Sequence, residues 1–143
     1  MNHASHIVID TNVLISAALL PHSKTTAMLV VALERYVLAQ NQQTWHELQT
    51  RIARPKFDRY FGSQGRFTHM TRLAQSAAFF EIAATASACR DADDNKFLAL
   101  AVDAGAPIII TGDDDLKVLH PYQGIAIYSP LEFLRFTERS PGD

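Results

Sequence analysis

The sequence predicts a single α/β domain built on a parallel sheet, and three observations carry that expectation. Short apolar runs rich in β-branched residues alternate with segments of helical period. Those runs are apolar at consecutive positions, as strands buried on both faces are. Two of them, Ile7-Val8-Ile9-Asp10 and Ile108-Ile109-Ile110-Thr111-Gly112-Asp113, lead straight into aspartate. In parallel α/β sheets that is the end where ligands bind.

Taken in order, Ile7 to Ile9 reads as a first strand, too short and too β-branched for a helix. Asp10, Thr11 and Asn12 offer capping side chains for a helix from Val13 to Leu20, stopped at Pro21. Lys24 to Arg35 forms a second helix and Tyr36 to Ala39 a second strand. Thr44 with Glu47 suggests a capping box opening a helix to about Arg54, before Pro55. Lys56 to Phe61 reads as a short helix, Gly62 to Gly65 as a loop, and Phe67 to Ala78 as a helix with one apolar face. Phe80 to Ala84 is expected to be a short strand and Arg90 to Asp94 an acidic turn. Phe97 to Ala104 forms a helix closed by Gly105. Pro107 to Ile110 is the clearest strand. A short helix near Leu119, a strand from Ile125 to Tyr128 and a helix from Pro130 to Phe136 complete the chain.

A length of 143 residues fits one domain, 1–143, with its core at about 7–136. The 48% apolar fraction can fill a core, and 20% charged residues is too few for a disordered chain. A net charge of −2 excludes nucleic-acid binding by bulk charge, so such binding would need a local basic patch or bound cations. One cysteine, Cys89, excludes an internal disulfide, and the six histidines show no paired zinc spacing. No apolar run is long enough to span a membrane and no signal-peptide pattern opens the chain, so the expected setting is the cytoplasm, with no membrane partner.

Four acids stand where a parallel sheet would gather them: Asp10 and Asp113 after strands, Glu47 one turn into a helix, and Asp94 at a helix start. Each alone has a structural reading, as a cap for the aspartates and as the i,i+4 partner of Arg51 for Glu47. Together they suggest a site for a hard divalent cation, which prefers carboxylate oxygen. Two unit charges ~4 Å apart repel by roughly 4 kcal/mol at an effective dielectric near 20. Converging carboxylates therefore imply a compensating cation.

These segments carry a resemblance. Ile7 to Ala17, Thr44-Trp45-His46-Glu47-Leu48 with Arg54-Pro55-Lys56-Phe57, Arg90 to Ala101, Ile110 to Leu116 and Ile127 to Leu134 together resemble PIN-domain proteins, in the right order and spacing over about residues 7–136. The nearest subgroup resembles the VapC-type ribonucleases that act as toxins of toxin–antitoxin pairs. The resemblance implies a three-layer α/β/α sandwich with a mainly parallel sheet. It also implies a Mg²⁺- or Mn²⁺-dependent endoribonuclease whose catalytic and metal-holding residues are Asp10, Glu47, Asp94 and Asp113, with Asp115 as a supplementary ligand. Asn12 and Thr111 occupy positions that, in the proteins this chain resembles, orient ligands or metal-bound water. Ala92 stands where proline is common, and Lys117 where a second leucine is common. Asp91 and Asp93 crowd Asp94, so Asp91 stays open as the third ligand; Asp94 is preferred because it directly precedes the helix start.

The substrate would be RNA, and Arg51, Arg54, Lys56 and Lys96, with Arg59, form the basic set expected to meet its phosphates. Trp45, Tyr60 and Phe61 are candidates for base stacking, with core packing as the alternative use. A small antitoxin protein and a homodimer are implied partners, with apolar surface around Leu29, Val30, Leu33 or Leu73 as a candidate interface. Other classes fit less well. A dehalogenase-like phosphatase would carry aspartate where Asn12 stands, and a nucleotide-binding Rossmann protein would need glycines that residues 10–20 lack. The remaining alternative is a catalytically silent PIN fold that serves as a nucleic-acid-binding or scaffold module.

Overall fold

In a computed structural model that describes residues 5–20 and 22–139, five strands form one sheet in the order β3-β2-β1-β4-β5, and every neighbouring pair is parallel. The strands are β1 (Ser5–Ile9), β2 (Tyr36–Gln40), β3 (Ala78–Phe79), β4 (Ile108–Ile110) and β5 (Ala126–Tyr128). The helices are α1 (Thr11–Leu19), α2 (Lys24–Arg35), α3 (Gln42–Ile52), α4 (Ser63–Ser76), α5 (Asn95–Ala104), α6 (Asp114–Lys117) and α7 (Pro130–Arg139). Two 3-10 turns, Pro55–Phe57 and Ala92–Asp94, punctuate the connections.

Strand alternation divides the core. Ile7, Ile9, Ile108 and Ile110 turn to one face, where they meet Val13, Leu14, Met28, Leu48, Leu73 and Phe133 of α1, α2, α3, α4 and α7. Val8, Ile109 and Ile127 turn to the other, against Phe97, Leu98, Leu100 and Ala101 of α5 and Leu116 of α6. Burial on both faces explains the uninterrupted apolar runs and makes the architecture a three-layer α/β/α sandwich. Chain connection runs outward from β1 to β2 and β3 on one side, and to β4 and β5 on the other. The carboxyl ends of β1 and β4 therefore flank the point where strand order reverses, the crevice in which such sheets bind ligands.

Several expected boundaries move, for physical reasons. The third strand is Ala78–Phe79 rather than Phe80 to Ala84. Phe80 still donates its N–H to the Gln40 carbonyl at 2.9 Å, but the Asp103 carboxylate then accepts from the N–H groups of Ala83 and Ala84 at 3.1 and 2.8 Å and draws the chain off the sheet. Helix α3 begins at Gln42 under Asn41, not at Thr44. The Asn41 side chain accepts from the Thr44 N–H at 2.9 Å, and the Thr44 hydroxyl accepts from the Asn41 N–H at 3.0 Å, which closes the capping box one turn earlier. Of the segment expected to be helical over 56–61, only Lys56 and Phe57 are regular, as the end of the 3-10 turn Pro55–Phe57, and α4 starts at Ser63, inside the expected loop. Gly105 ends α5 at φ 62°, the left-handed conformation that glycine adopts without strain. Pro21, expected to stop α1, lies outside the described residues. Of the candidate interface, Leu73 is buried, Leu29 and Leu33 pack against the core, and Val30 is exposed.

Candidate functional site

Asp10 is the first residue beyond β1. Its N–H donates to the Ile110 carbonyl at 3.0 Å, so β4 holds its backbone in place. One carboxylate oxygen accepts from the Val13 N–H at 2.8 Å, the capping bond of α1, and the other accepts from the Thr111 hydroxyl. Burial pushes the Asp10 carboxyl above the ordinary aspartate range. Hydrogen bonds from Thr111, Val13 and Gly112 pull it back, and the charge of Asp113 adds to the upward push.

Thr111 ties β4 to the loop that follows. Fully buried, it donates to Asp10 and accepts from the Asp113 N–H at 3.0 Å. Asp113 in turn caps α6 by accepting from the Asp115 N–H at 2.9 Å. Asp94 closes the 3-10 turn before α5, where its carboxyl feels that of Asp113. Burial raises the Asp94 carboxyl to about 7, reinforced by the Asp113 carboxyl and by the charges of Asp91 and Asp10. Asp94 Oδ2 is buried and has no hydrogen-bond partner. Asp10, Asp94 and Asp113 thus form one electrostatically linked group. Asp91 is exposed and caps its own turn by accepting from the Asp93 N–H at 3.0 Å. The bonds Asp115 makes here run through its backbone, to Asp113 and to the Cys89 thiol.

Glu47 takes part differently. Thr11 Oγ1 donates to one of its oxygens at 2.5 Å, while Lys96 Nζ and Arg51 reach the other at 2.5 and 3.3 Å. Arg51 also donates to the Asn12 side chain at 3.1 Å. Lys96 further donates to the Asp93 carbonyl at 2.6 Å. Sequence reasoning read Thr11 only as a capping residue. The structure makes Asp10 the cap and leaves the buried Thr11 hydroxyl to find its partner in Glu47, 36 positions away, which no local signal in the sequence gives.

A cleft of about 660 Å³ opens beside Glu47, lined among others by His46, Arg51, Arg54, Asn95 and Lys96. Lys56 and Arg59 are not among its lining residues; they lie over the rings of Phe57 and Tyr60. Phe61 packs on the core and stacks with His69, while Trp45 meets Phe79 edge to face.

Among the described residues, no group of three or more His, Cys, Asp or Glu side chains is already disposed as a ligand set for a metal ion. The donor chemistry nevertheless fits a hard divalent cation. Carboxylate oxygens predominate, two of the three linked aspartates are pushed toward protonation, and one buried oxygen has no partner.

The PIN domain model matches residues 6–115, and the chain belongs to the PIN domain family, whose members are generally nucleases that use divalent metals. The chain is 34% identical over 112 residues to uncharacterized protein MJ1680 of Methanocaldococcus jannaschii, spanning 77% of this chain and 72% of that protein. Among solved structures it is similar to PAE2754 from Pyrobaculum aerophilum, with a TM-score of 0.55 and 15% identity over 94% of this chain and 90% of that one. It is also similar to FitAcB from Neisseria gonorrhoeae, with a TM-score of 0.53 and 22% identity over 87% of this chain and 98% of that one. At those identities the two structures speak for the fold alone.

Proposed function

We propose that the protein is a divalent-metal-dependent endoribonuclease that hydrolyses RNA phosphodiester bonds in the cytoplasm and acts as the toxin of a toxin–antitoxin pair. The observation that carries this reading is the linked group of Asp10, Asp94 and Asp113 at the strand-order reversal, with one buried oxygen unpartnered. Asp10, Asp94 and Asp113 would hold Mg²⁺ or Mn²⁺, with Glu47 and Asp115 completing the set. Such an ion supplies a water of lowered pKa and stabilises charge on the phosphate.

The chain's own residues do the rest. Thr111 fixes Asp10 and the Asp113 backbone in one frame. Arg51, Arg54 and Lys96 bring positive charge to the cleft, where substrate phosphates need it. Thr11, Lys96 and Arg51 hold Glu47 at the cleft wall. The toxin role rests on the resemblance of the motifs to VapC-type proteins. It brings with it a small antitoxin partner and a homodimer.

The test is a cleavage assay on a mixed RNA pool with EDTA, then with Mg²⁺ or Mn²⁺ added back, run beside calorimetric titration of the metal into the parent and into Asp10→Asn. The expected result is metal-restored cleavage by the parent, with both metal binding and cleavage lost in the variant. Equal cleavage by Asp10→Asn would refute the site. RNA binding without any cleavage would instead favour a silent binding module.

A further inference from the structure

The cleft beside Glu47 continues, through His46 and Ile82, into a second hollow of about 840 Å³ lined by Gln42, Trp45, Gln49, Phe79, Phe80 and Glu81. The two halves differ in chemistry. The first carries three cations, Arg51, Arg54 and Lys96, against two acids, Glu47 and Asp93, with Arg51 and Lys96 both paired to Glu47. The second carries aromatic rings and glutamine amides, and its one acid, Glu81, disfavours a phosphate there. Rings Trp45 and Phe79 meet edge to face with centroids 5.3 Å apart, and Phe79 is 51% exposed on the outermost strand. Its neighbour Ile82 is 46% exposed. The wall of the first cleft at Ala84 and Asn95 is held in shape by the Asp103 carboxylate, which accepts from the Ala83 and Ala84 N–H groups, and by the Asn95 side chain, which accepts from the Cys89 N–H at 2.8 Å.

We infer that this hollow is a stacking subsite for an unpaired base of single-stranded RNA, whose phosphates run along Arg51, Arg54 and Lys96. The inference rests on the ribonuclease reading, which supplies the strand. Cationic grooves continuous with exposed aromatic faces bind single strands, because every base has a face to stack. A duplex keeps its bases stacked inside and cannot offer one to the hollow. Gln42 and Gln49 place donor and acceptor groups at the hollow's wall, where a base edge needs them.

Trp45 is the sole tryptophan and lines the hollow, so tryptophan emission comes from one residue at the subsite. The experiment titrates the full-length Asp113→Asn variant, disabled for cutting, with a ten-nucleotide single-stranded RNA, the matching duplex and the same sequence as DNA, in Mg²⁺. Anisotropy of labelled strands gives binding in parallel. The single strand should change Trp45 emission saturably, and the duplex should not. Adding Phe79→Ala should weaken single-strand binding about tenfold while circular dichroism shows the fold retained. Single-strand binding that leaves Trp45 emission unmoved and is indifferent to Phe79→Ala overturns the subsite, while cleavage by the parent keeps the nuclease reading intact. An equal response to DNA overturns the assignment to RNA. An emission change on diluting the protein alone gives the hollow to a second copy of the chain and overturns the inference. If the parent neither cleaves nor binds RNA, the ribonuclease reading falls and takes the subsite with it.

Discussion

Glu47 and Asp94 are both carboxylates near the carboxyl end of the sheet, yet their surroundings are opposite. Glu47 has each oxygen engaged, one by Thr11 and the other by Lys96 and Arg51. Asp94 lies within the influence of another acid, Asp113, and has one oxygen, Oδ2, buried without a partner. One neighbourhood is compensated by the chain's own cations, while the other accumulates negative charge. The difference shows where an added cation would gain most. It would relieve repulsion among Asp10, Asp94 and Asp113, whereas at Glu47 it would compete with an ammonium and a guanidinium already in place.

The largest expected effect follows from that contrast. Asp10→Asn or Asp113→Asn should cut RNA cleavage by more than the roughly 10–100-fold typical of losing an outer-shell partner, while circular dichroism shows an intact fold. Glu47→Gln should fall within that lesser range. Steady-state cleavage rates at saturating Mn²⁺ would rank the three. If Glu47→Gln proved the most damaging, the division between the two neighbourhoods would be drawn in the wrong place.

The second effect is on stability against pH. The Asp94 carboxyl sits near 7 in the folded chain against an ordinary 3.8. The folded state therefore holds a proton that the unfolded state has released between those values. Its contribution is complete below about pH 4 and is lost as pH rises through about 7. Thermal melts in EDTA should show stability declining across that window, and Asp94→Asn should flatten the decline. Mg²⁺ or Mn²⁺ should raise the melting temperature more at pH 8 than at pH 5, because the carboxylates must be ionised to hold it. An identical pH slope in Asp94→Asn would mean that the decline belongs to other groups.

A third test sharpens the compensated side. Lys96→Met leaves Glu47 with Thr11 and Arg51 only. Stability should fall by about 2 kcal/mol in urea denaturation, short of the ~3–5 kcal/mol lost on breaking a fully buried pair, because two partners remain. The double variant with Glu47→Gln should recover most of that loss. No recovery would show that Lys96 acts through its bond to the Asp93 carbonyl or through packing on Phe97 instead.

Much of this was legible before any coordinates. Ile7-Val8-Ile9 and Ile108-Ile109-Ile110 announced buried parallel strands, and the aspartates after them marked the crevice. The meeting of Asp94 with Asp113 and Asp10 also followed from topology, since α5 packs against β1 and β4. Bonds made across the fold could not be read. Local spacing pairs Glu47 with Arg51, but the reach of Lys96 and Thr11 to the same carboxylate spans 49 and 36 positions (96 − 47 and 47 − 11). The shortened third strand was hidden likewise, because Asp103 of α5 takes the Ala83 and Ala84 N–H groups across 20 and 19 positions. Nor does local propensity separate Asn41 from Thr44 as the residue that starts α3; both are good caps, and the buried Gln40 decides by accepting the Thr44 hydroxyl at 2.5 Å.

That buried start of α3 supplies the smallest and most discriminating effect. Asn41 and Thr44 set the helix that carries Glu47 and Trp45, but they touch none of the three linked aspartates. Asn41→Ala removes the cap and leaves the buried Thr44 N–H unpaired, which should cost about 1–2 kcal/mol in urea denaturation. The pH dependence of stability should keep the slope of the parent, because Asp94 and its neighbours are unchanged. Cleavage should weaken through KM, as α3 with its cleft residue Arg51, and Arg54 just beyond its end, lose their fixed position, with kcat largely kept. A changed pH slope in this variant would show that the acidic group and the cleft wall are one coupled unit, and the contrast between Asp94 and Glu47 would then be a difference of degree within a single network.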